Sequence, residues 1–113
     1  MMRPVPVSRR LALAAVLFGM ASASWAAQAV EAQVMIDNFT FSPAEITVAP
    51  GTRITWTNRD DIPHTVTASA EPRAFKSSAL DTGDSFAVTL EAPGTYTYFC
   101  SLHPHMQGSI IVR

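Results

Sequence analysis

Four side chains that can bind a metal ion lie within seven residues near the end of the chain: Cys100, His103, His105 and Met106. Thiolate, imidazole and thioether groups together suit copper, because soft sulfur stabilises Cu(I) and imidazole binds both oxidation states. A cysteine, two histidines and a weak axial methionine form the ligand set of a blue-copper site. The segment offers two histidine candidates, and His64 is the only histidine elsewhere in the chain. The sequence therefore predicts a copper site built from this segment and His64.

The spacing of these residues predicts how their side chains meet. Cys100 ends a predicted strand, and a tight loop after it lets a side chain three residues further on face the same point as the thiolate. Met106 can then approach from a third direction, while His64 must come from a neighbouring strand. With metal–sulfur and metal–nitrogen bonds of about 2.3 and 2.0 Å, a trigonal plane puts each ring nitrogen roughly 3.5–4 Å from the sulfur.

The same residue types also occur in proteins of other classes. A single cysteine at a strand end often behaves as a small buried hydrophobe, and a single methionine often fills a core. An enzyme that uses Cys100 as a nucleophile with a histidine base is a second possibility, but the loop lacks a group that would orient the base. A copper storage or delivery protein would share the ligands without redox cycling. The combined pattern favours an electron carrier over these alternatives, and we expect no enzymatic activity.

The first 26 residues have the composition of a secretory signal peptide. Arg3, Arg9 and Arg10 form a basic start, an apolar run occupies positions 11–18, and small residues precede a predicted cleavage site after Ala26. The apolar run is short for a bilayer core of about 30 Å. We therefore expect residues 27–113 to form one exported, periplasmic domain without a membrane span.

Charge and cysteine content restrict the function further. The predicted leader contains three of the eight basic residues and none of the nine acidic ones, so five remain against nine, a net charge of −4. Without a basic surface, nucleic acid is not an expected partner. Cys100 is the only cysteine, so no disulfide can form within the chain, and an exported lone cysteine indicates a metal ligand, a reactive thiol or an intermolecular bridge.

Short alternating segments rich in β-branched and aromatic residues follow one another along the mature chain. The predicted strands are 34–36, 45–48, 53–57, 64–68, 85–90, 95–100 and 109–112. Pro50-Gly51 and Pro93-Gly94 mark turns, and Phe75 and Leu80 are predicted to enter the core from an irregular stretch at 69–83. Trp56 is expected in the core. About seven or eight such strands predict an all-β protein with a β-sandwich fold.

Two extended patterns in the sequence resemble the cupredoxins, the family of type 1 blue copper proteins, and within it the amicyanin and plastocyanin type. The first consists of Phe41, Pro43, Ile46, Val48, Gly51, Trp56, Asn58, Asp60, Pro63, His64 and Val66. The second consists of Pro93, Gly94, Thr95, Tyr96, Tyr98, Cys100, His103, Pro104, Met106 and Gly108. Two residues separate cysteine from histidine and histidine from methionine, which is the amicyanin-like loop length.

The resemblance implies a Greek-key sandwich that binds one copper ion through His64, Cys100, His103 and Met106. It also implies transient redox partners, such as a c-type cytochrome or a dehydrogenase, that dock over the face of His103. His64 and His103 are then expected to show the distance of roughly 3.5–4 Å from the Cys100 sulfur.

Two positions depart from the usual pattern of the family. Thr65 replaces an asparagine whose side chain ties the two ligand-bearing loops together; threonine can still bond to Ser101 but is shorter. His105 stands where an apolar or aromatic residue is usual. Because it follows Pro104, we expect its side chain to point away from the site and into solvent.

Overall fold

A computed structural model describes residues 30–113, which form eight β-strands. The strands are β1 (Glu31–Asp37), β2 (Thr40–Ser42), β3 (Glu45–Val48), β4 (Thr52–Asn58), β5 (Thr67–Ala68), β6 (Ser85–Leu90), β7 (Gly94–Phe99) and β8 (Gln107–Val112). The predicted leader 1–26 and residues 27–29 lie outside the described part. Between positions 30 and 113 there is no helix of the length and apolar character needed to cross a membrane.

The eight strands form two four-stranded sheets, in the orders β2-β1-β4-β6 and β3-β8-β7-β5. β1 runs parallel to β4 and β3 runs parallel to β8, while the other neighbours are antiparallel. Parallel neighbours cannot be joined by a tight hairpin, so the chain must cross between the sheets. The predicted all-β sandwich is confirmed.

Alternation along β4 shows why the two sheets pack. Thr52, Ile54, Trp56 and Asn58 are buried, while the residues between them are exposed or half-buried. The Trp56 ring packs among aromatic rings of both sheets and of the connecting loop, Phe75, Phe86 and Tyr98, at centroid distances of 5.4–5.8 Å. Each large apolar side chain buried in this way contributes about 1.5–3 kcal/mol. As predicted, Trp56 and the two residues entering from the loop, Phe75 and Leu80, belong to the core.

The strand predicted at 64–68 is wrong for most of its length. Only Thr67–Ala68 is a strand, because the preceding backbone groups find other partners. His64 forms an isolated bridge with Leu80, with both backbone hydrogen bonds made (3.1 and 2.8 Å). The Val66 N–H donates to the hydroxyl of Ser77 (2.9 Å). A loop and a side chain therefore satisfy the backbone groups of this segment in place of a neighbouring strand. Its side chains can then point to the candidate site.

A short strand that the sequence did not predict, β2, folds back on β1 through Asn38 and Phe39. Both turn residues have positive φ angles, 52° and 57°, which are uncommon for residues other than glycine. The turn places the Phe39 ring at the end of the sandwich where the candidate ligands lie.

Candidate metal centre

The loop between β7 and β8 is closed by its own backbone. Cys100 N–H donates to Met106 C=O (3.1 Å), His103 N–H to Cys100 C=O (3.1 Å), and Met106 N–H to His103 C=O (2.9 Å). These three bonds connect the candidate ligand positions to one another. Their side chains are therefore held by a narrow turn at the end of a hairpin rather than by a free loop.

Three donor atoms converge at this end of the sandwich. The Nδ1 atoms of His64 and His103 each lie 3.7 Å from the Cys100 sulfur. The three donor atoms all lie within 4.8 Å of one another. Both sulfur–nitrogen distances fall in the range expected for ligands in a trigonal plane around one ion.

The two histidines of the loop differ in position. His103 belongs to the converging group and is half-buried, whereas His105 is exposed and is not part of that group. Met106 is buried, with 5% of its side chain exposed, and packs in the core next to Cys100 in the closed loop.

Thr65 connects the loop to the segment that contains His64. Its N–H donates to the Cys100 sulfur (3.3 Å), and its hydroxyl accepts from the N–H of Ser101 (2.7 Å). The hydroxyl groups of Thr65 and Ser101 are also 2.8 Å apart. Threonine therefore provides the tie between the two segments despite its shorter side chain.

A carboxylate lies behind His64, on the side away from the sulfur. Nε2 of His64 is 2.8 Å from Oδ2 of Asp60. The N–H of Phe39 is the main cause that lowers the pKa of Asp60 from 3.8 to about 2; the N–H of Asn38 and His64 act in the same direction, and burial opposes them. Asp60 is therefore ionised at neutral pH.

Sequence reasoning missed two contributors to this site. Asp60 belongs to the family pattern, but the sequence analysis gave it no role. Its position four residues before His64 is the signal that could have indicated a contact with that ring. Phe39 carried no signal, since its ring approaches His64 and His103 edge-on (5.5 and 5.2 Å between centroids) only through the unpredicted turn.

The donor set fits copper. A cysteine sulfur and two imidazole nitrogens match three donors of a blue-copper site, and a buried methionine could supply the fourth, weaker one. Imidazole and sulfur donors with no carboxylate in the group argue against a hard cation such as Mg²⁺ or Ca²⁺.

Comparison with known proteins gives a consistent result. The model of the cupredoxin-like domain matches residues 10–112. Amicyanin-alpha of Methylorubrum extorquens is 35% identical over 93% of this chain and 99% of the relative. The plastocyanin of Scenedesmus fuscus is 30% identical over 65% of this chain and 86% of the relative.

Solved structures agree with these relatives. A purple cupredoxin from Nitrosopumilus maritimus has a TM-score of 0.68 and 34% identity, over 73% of this chain and 99% of that chain. The reduced state of an amicyanin mutant has a TM-score of 0.68 and 29% identity, over 81% and 89%.

The chain therefore belongs to the cupredoxin family, and within it to the amicyanin and plastocyanin type. Its cofactor is a single copper ion, as the site chemistry and the sequence predicted. Its relatives support the role of an electron carrier.

Proposed function

We propose that His64, Cys100, His103 and Met106 hold the copper ion and that the protein carries single electrons between redox partners. The observation that supports this most strongly is the equal distance, 3.7 Å, from the Cys100 sulfur to a nitrogen of each of two histidines. When bound, copper supplies the one-electron Cu(II)/Cu(I) couple. The protein supplies the ligands and their fixed positions.

Rigid ligands suit this task, because electron transfer is fast when neither oxidation state requires large movement of the surrounding atoms. The loop is closed by backbone bonds at both Cys100 and Met106, and Thr65 ties it to the segment of His64. These contacts hold the donors in place before the ion binds, which lowers the cost of ordering them.

Burial distinguishes a carrier from the alternatives. Cys100 and His64 are fully buried, which supports a carrier, because copper delivery by ligand exchange requires a partner to reach the ligands. An open groove of about 710 Å³ lies along β3, β7 and β8, but Cys100 does not line it. A buried thiol away from the groove does not support a cysteine enzyme.

We further propose that the mature protein works in the periplasm and that partners dock over the face of His103. Leu102 and Phe39 are each 50% exposed there, and Pro104 is also exposed. A small apolar patch on a protein surface is a candidate docking site. A c-type cytochrome or a dehydrogenase of basic surface charge would be attracted by the predicted net charge of −4.

Copper titration of mature protein tests the proposed ligand set. The wild type is expected to bind one copper ion and to develop an intense visible absorption band from thiolate-to-Cu(II) charge transfer, which reduction removes and oxidation restores. Cys100→Ser should lack the band, because the thiolate is gone. His105→Ala is the matched control and should keep it. A band that persists in the Cys100 variant, or disappears in the His105 variant, would refute the assignment.

A further inference from the structure

Three hydrogen bonds converge on the carboxylate of Asp60, whose side chain is only 11% exposed. Oδ1 accepts the N–H of Asn38 (2.7 Å). Oδ2 accepts the N–H of Phe39 (3.0 Å) and lies 2.8 Å from Nε2 of His64. One side chain thus joins a turn of the first sheet to a candidate copper ligand.

The carboxylate determines which nitrogen of His64 carries the proton. An ionised carboxylate only accepts hydrogen bonds, so Nε2 must hold the proton that it donates to Asp60. In the neutral ring the lone pair is then on Nδ1, the atom that faces the Cys100 sulfur at 3.7 Å. This is the tautomer that a metal ion on the sulfur side requires.

The same carboxylate stabilises a strained turn. Asn38 and Phe39 both adopt the left-handed conformation, which is unfavourable for a residue such as Phe39 unless the surroundings impose it. Their adjacent N–H groups point to one carboxylate, which offsets that cost. This turn also places the Phe39 ring edge-on against the rings of His64 and His103.

Asp60 is itself held by its neighbours. Its N–H donates to the side-chain oxygen of Asn58 (2.9 Å), and its C=O accepts from the hydroxyl of Thr82 (2.6 Å). Asn58 is buried and its amide group donates to the C=O of Ile62 and of Leu80. The carboxylate therefore has a fixed position from which to orient other groups.

We propose that Asp60 is a positioning residue that fixes the tautomer of His64 and holds Phe39 against both histidine rings as one unit. This inference rests on the proposed function, since it takes His64 as a copper ligand. A carboxylate bonded to a ligating imidazole makes the imidazole a stronger donor, and its negative charge favours Cu(II) over Cu(I). Asp60 thereby raises copper affinity and lowers the reduction potential.

Asp60→Asn tests the role of the carboxylate, with Asp61→Asn as the matched control. Both variants lose one negative charge at adjacent positions, but Asp61 is exposed and has no described hydrogen-bond partner for its side chain. In the asparagine variant, an NH₂ group replaces one carboxylate oxygen. It faces an N–H group that now donates to that oxygen, so at least one hydrogen bond is lost. We expect Asp60→Asn to weaken Cu(II) binding about 10–100-fold and to raise the potential. Asp61→Asn should change both only slightly, because solvent screens its charge.

Competition with a chelator measures the affinity, and protein-film voltammetry measures the potential. Equal values in the two variants would mean that only charge matters, and would overturn the positioning role.

A double-mutant cycle with Phe39→Ala tests whether Asp60 and Phe39 act together. This substitution should shift the reduction potential clearly in the wild type. The shift should be much smaller in Asp60→Asn, because the turn of Asn38 and Phe39 has already lost its bonds to the carboxylate. Additive shifts would overturn the coupling to Phe39.

A measurement on the wild type keeps the proposal testable if the Asp60 variant does not fold. Nitrogen-15 NMR of the copper-free mature protein should find neutral His64 with its proton on Nε2. A proton on Nδ1 would overturn the proposal. Because this test needs no copper, it remains informative if the wild type fails to bind copper, an outcome that would refute the proposed function instead.

Discussion

At the scale of single residues, the centre combines side chains that differ in how firmly the protein holds them. Cys100 and His64 are fully buried. The Cys100 sulfur accepts a hydrogen bond from the N–H of Thr65, and Nε2 of His64 is bonded to the carboxylate of Asp60. Met106 is held both by its buried side chain and by its backbone, whose N–H and C=O close the loop between β7 and β8. Its side chain can therefore be changed while the hydrogen bonds of the loop remain.

This separation makes Met106→Gln an informative substitution. The variant should still bind copper, because the other three proposed ligands stay, but its reduction potential should fall, since a harder oxygen ligand favours Cu(II). Voltammetry measures the change. Met35→Gln, the same chemical change on half-buried β1, is the control and should leave the potential as it is. An unaltered potential in the Met106 variant would remove methionine from the site.

At the scale of structural elements, the hairpin of β7 and β8 positions the ligand loop. β7 ends directly before Cys100, and β8 begins directly after Met106. Gly108 of β8 pairs with Tyr98 of β7, and the Tyr98 ring lies over the glycine. The ring also packs against Trp56 and Phe41, so it has little room to move.

Gly108→Ala should therefore destabilise the domain. A Cβ atom at this position would lie 2.5 Å from atoms of the Tyr98 ring, closer than real contacts allow. Overpacking of this kind costs about 1–3 kcal/mol of the free energy of unfolding. Urea denaturation of the variant measures the loss. Ser109→Ala, at the next position of β8, removes an atom instead of adding one; it is the control and should lose less than the Gly108 variant. Equal stabilities would show that the ring moves aside freely.

At the scale of the whole molecule, the candidate copper ligands and the proposed docking surface lie at one end of the sandwich. The proposed ligands lie in the segments that follow β4 and β7, and the exposed apolar side chains of Phe39 and Leu102 lie at the same end. His103 is half-buried and belongs to the donor group, so its ring would give a short path for electrons to a partner docked as proposed. Weak redox encounters bury less than about 1,200 Å² in total, which a patch of this kind can provide.

Leu102→Glu tests the docking surface. A charge in the patch should slow electron transfer to a partner c-type cytochrome, because it disfavours apolar docking, while the copper spectrum and potential stay close to wild type. Thr89→Glu is the control: it adds the same charge at an exposed position of β6 that pairs with Arg53, at the end of β4 remote from Asn58. Stopped-flow oxidation across a salt series measures both. Equal rates for Leu102→Glu and wild type at every salt concentration would place docking elsewhere.

The parts of this protein that the sequence determined are those carried by local patterns. The donors of the ligand loop lie within seven residues, and with three histidines in the chain His64 was the only remote candidate. Alternation of buried and exposed residues predicted most strands and the sandwich, because that periodicity follows directly from strand geometry. The identity of the metal followed from the chemistry of sulfur and imidazole donors.

Tertiary structure alone decided the contacts between distant segments. The bonds from Asn38 and Phe39 to Asp60 span 22 and 21 residues, and that from Thr65 to Cys100 spans 35. Phe39 adopts a left-handed conformation that is rare for an aromatic residue, so its local propensity pointed away from this turn. The segment 64–68 has the composition of a strand, yet the Cys100 sulfur and the Ser77 hydroxyl accept hydrogen bonds that a ladder would otherwise make. Such partners exist only once the chain has folded, which is why no local pattern could reveal them.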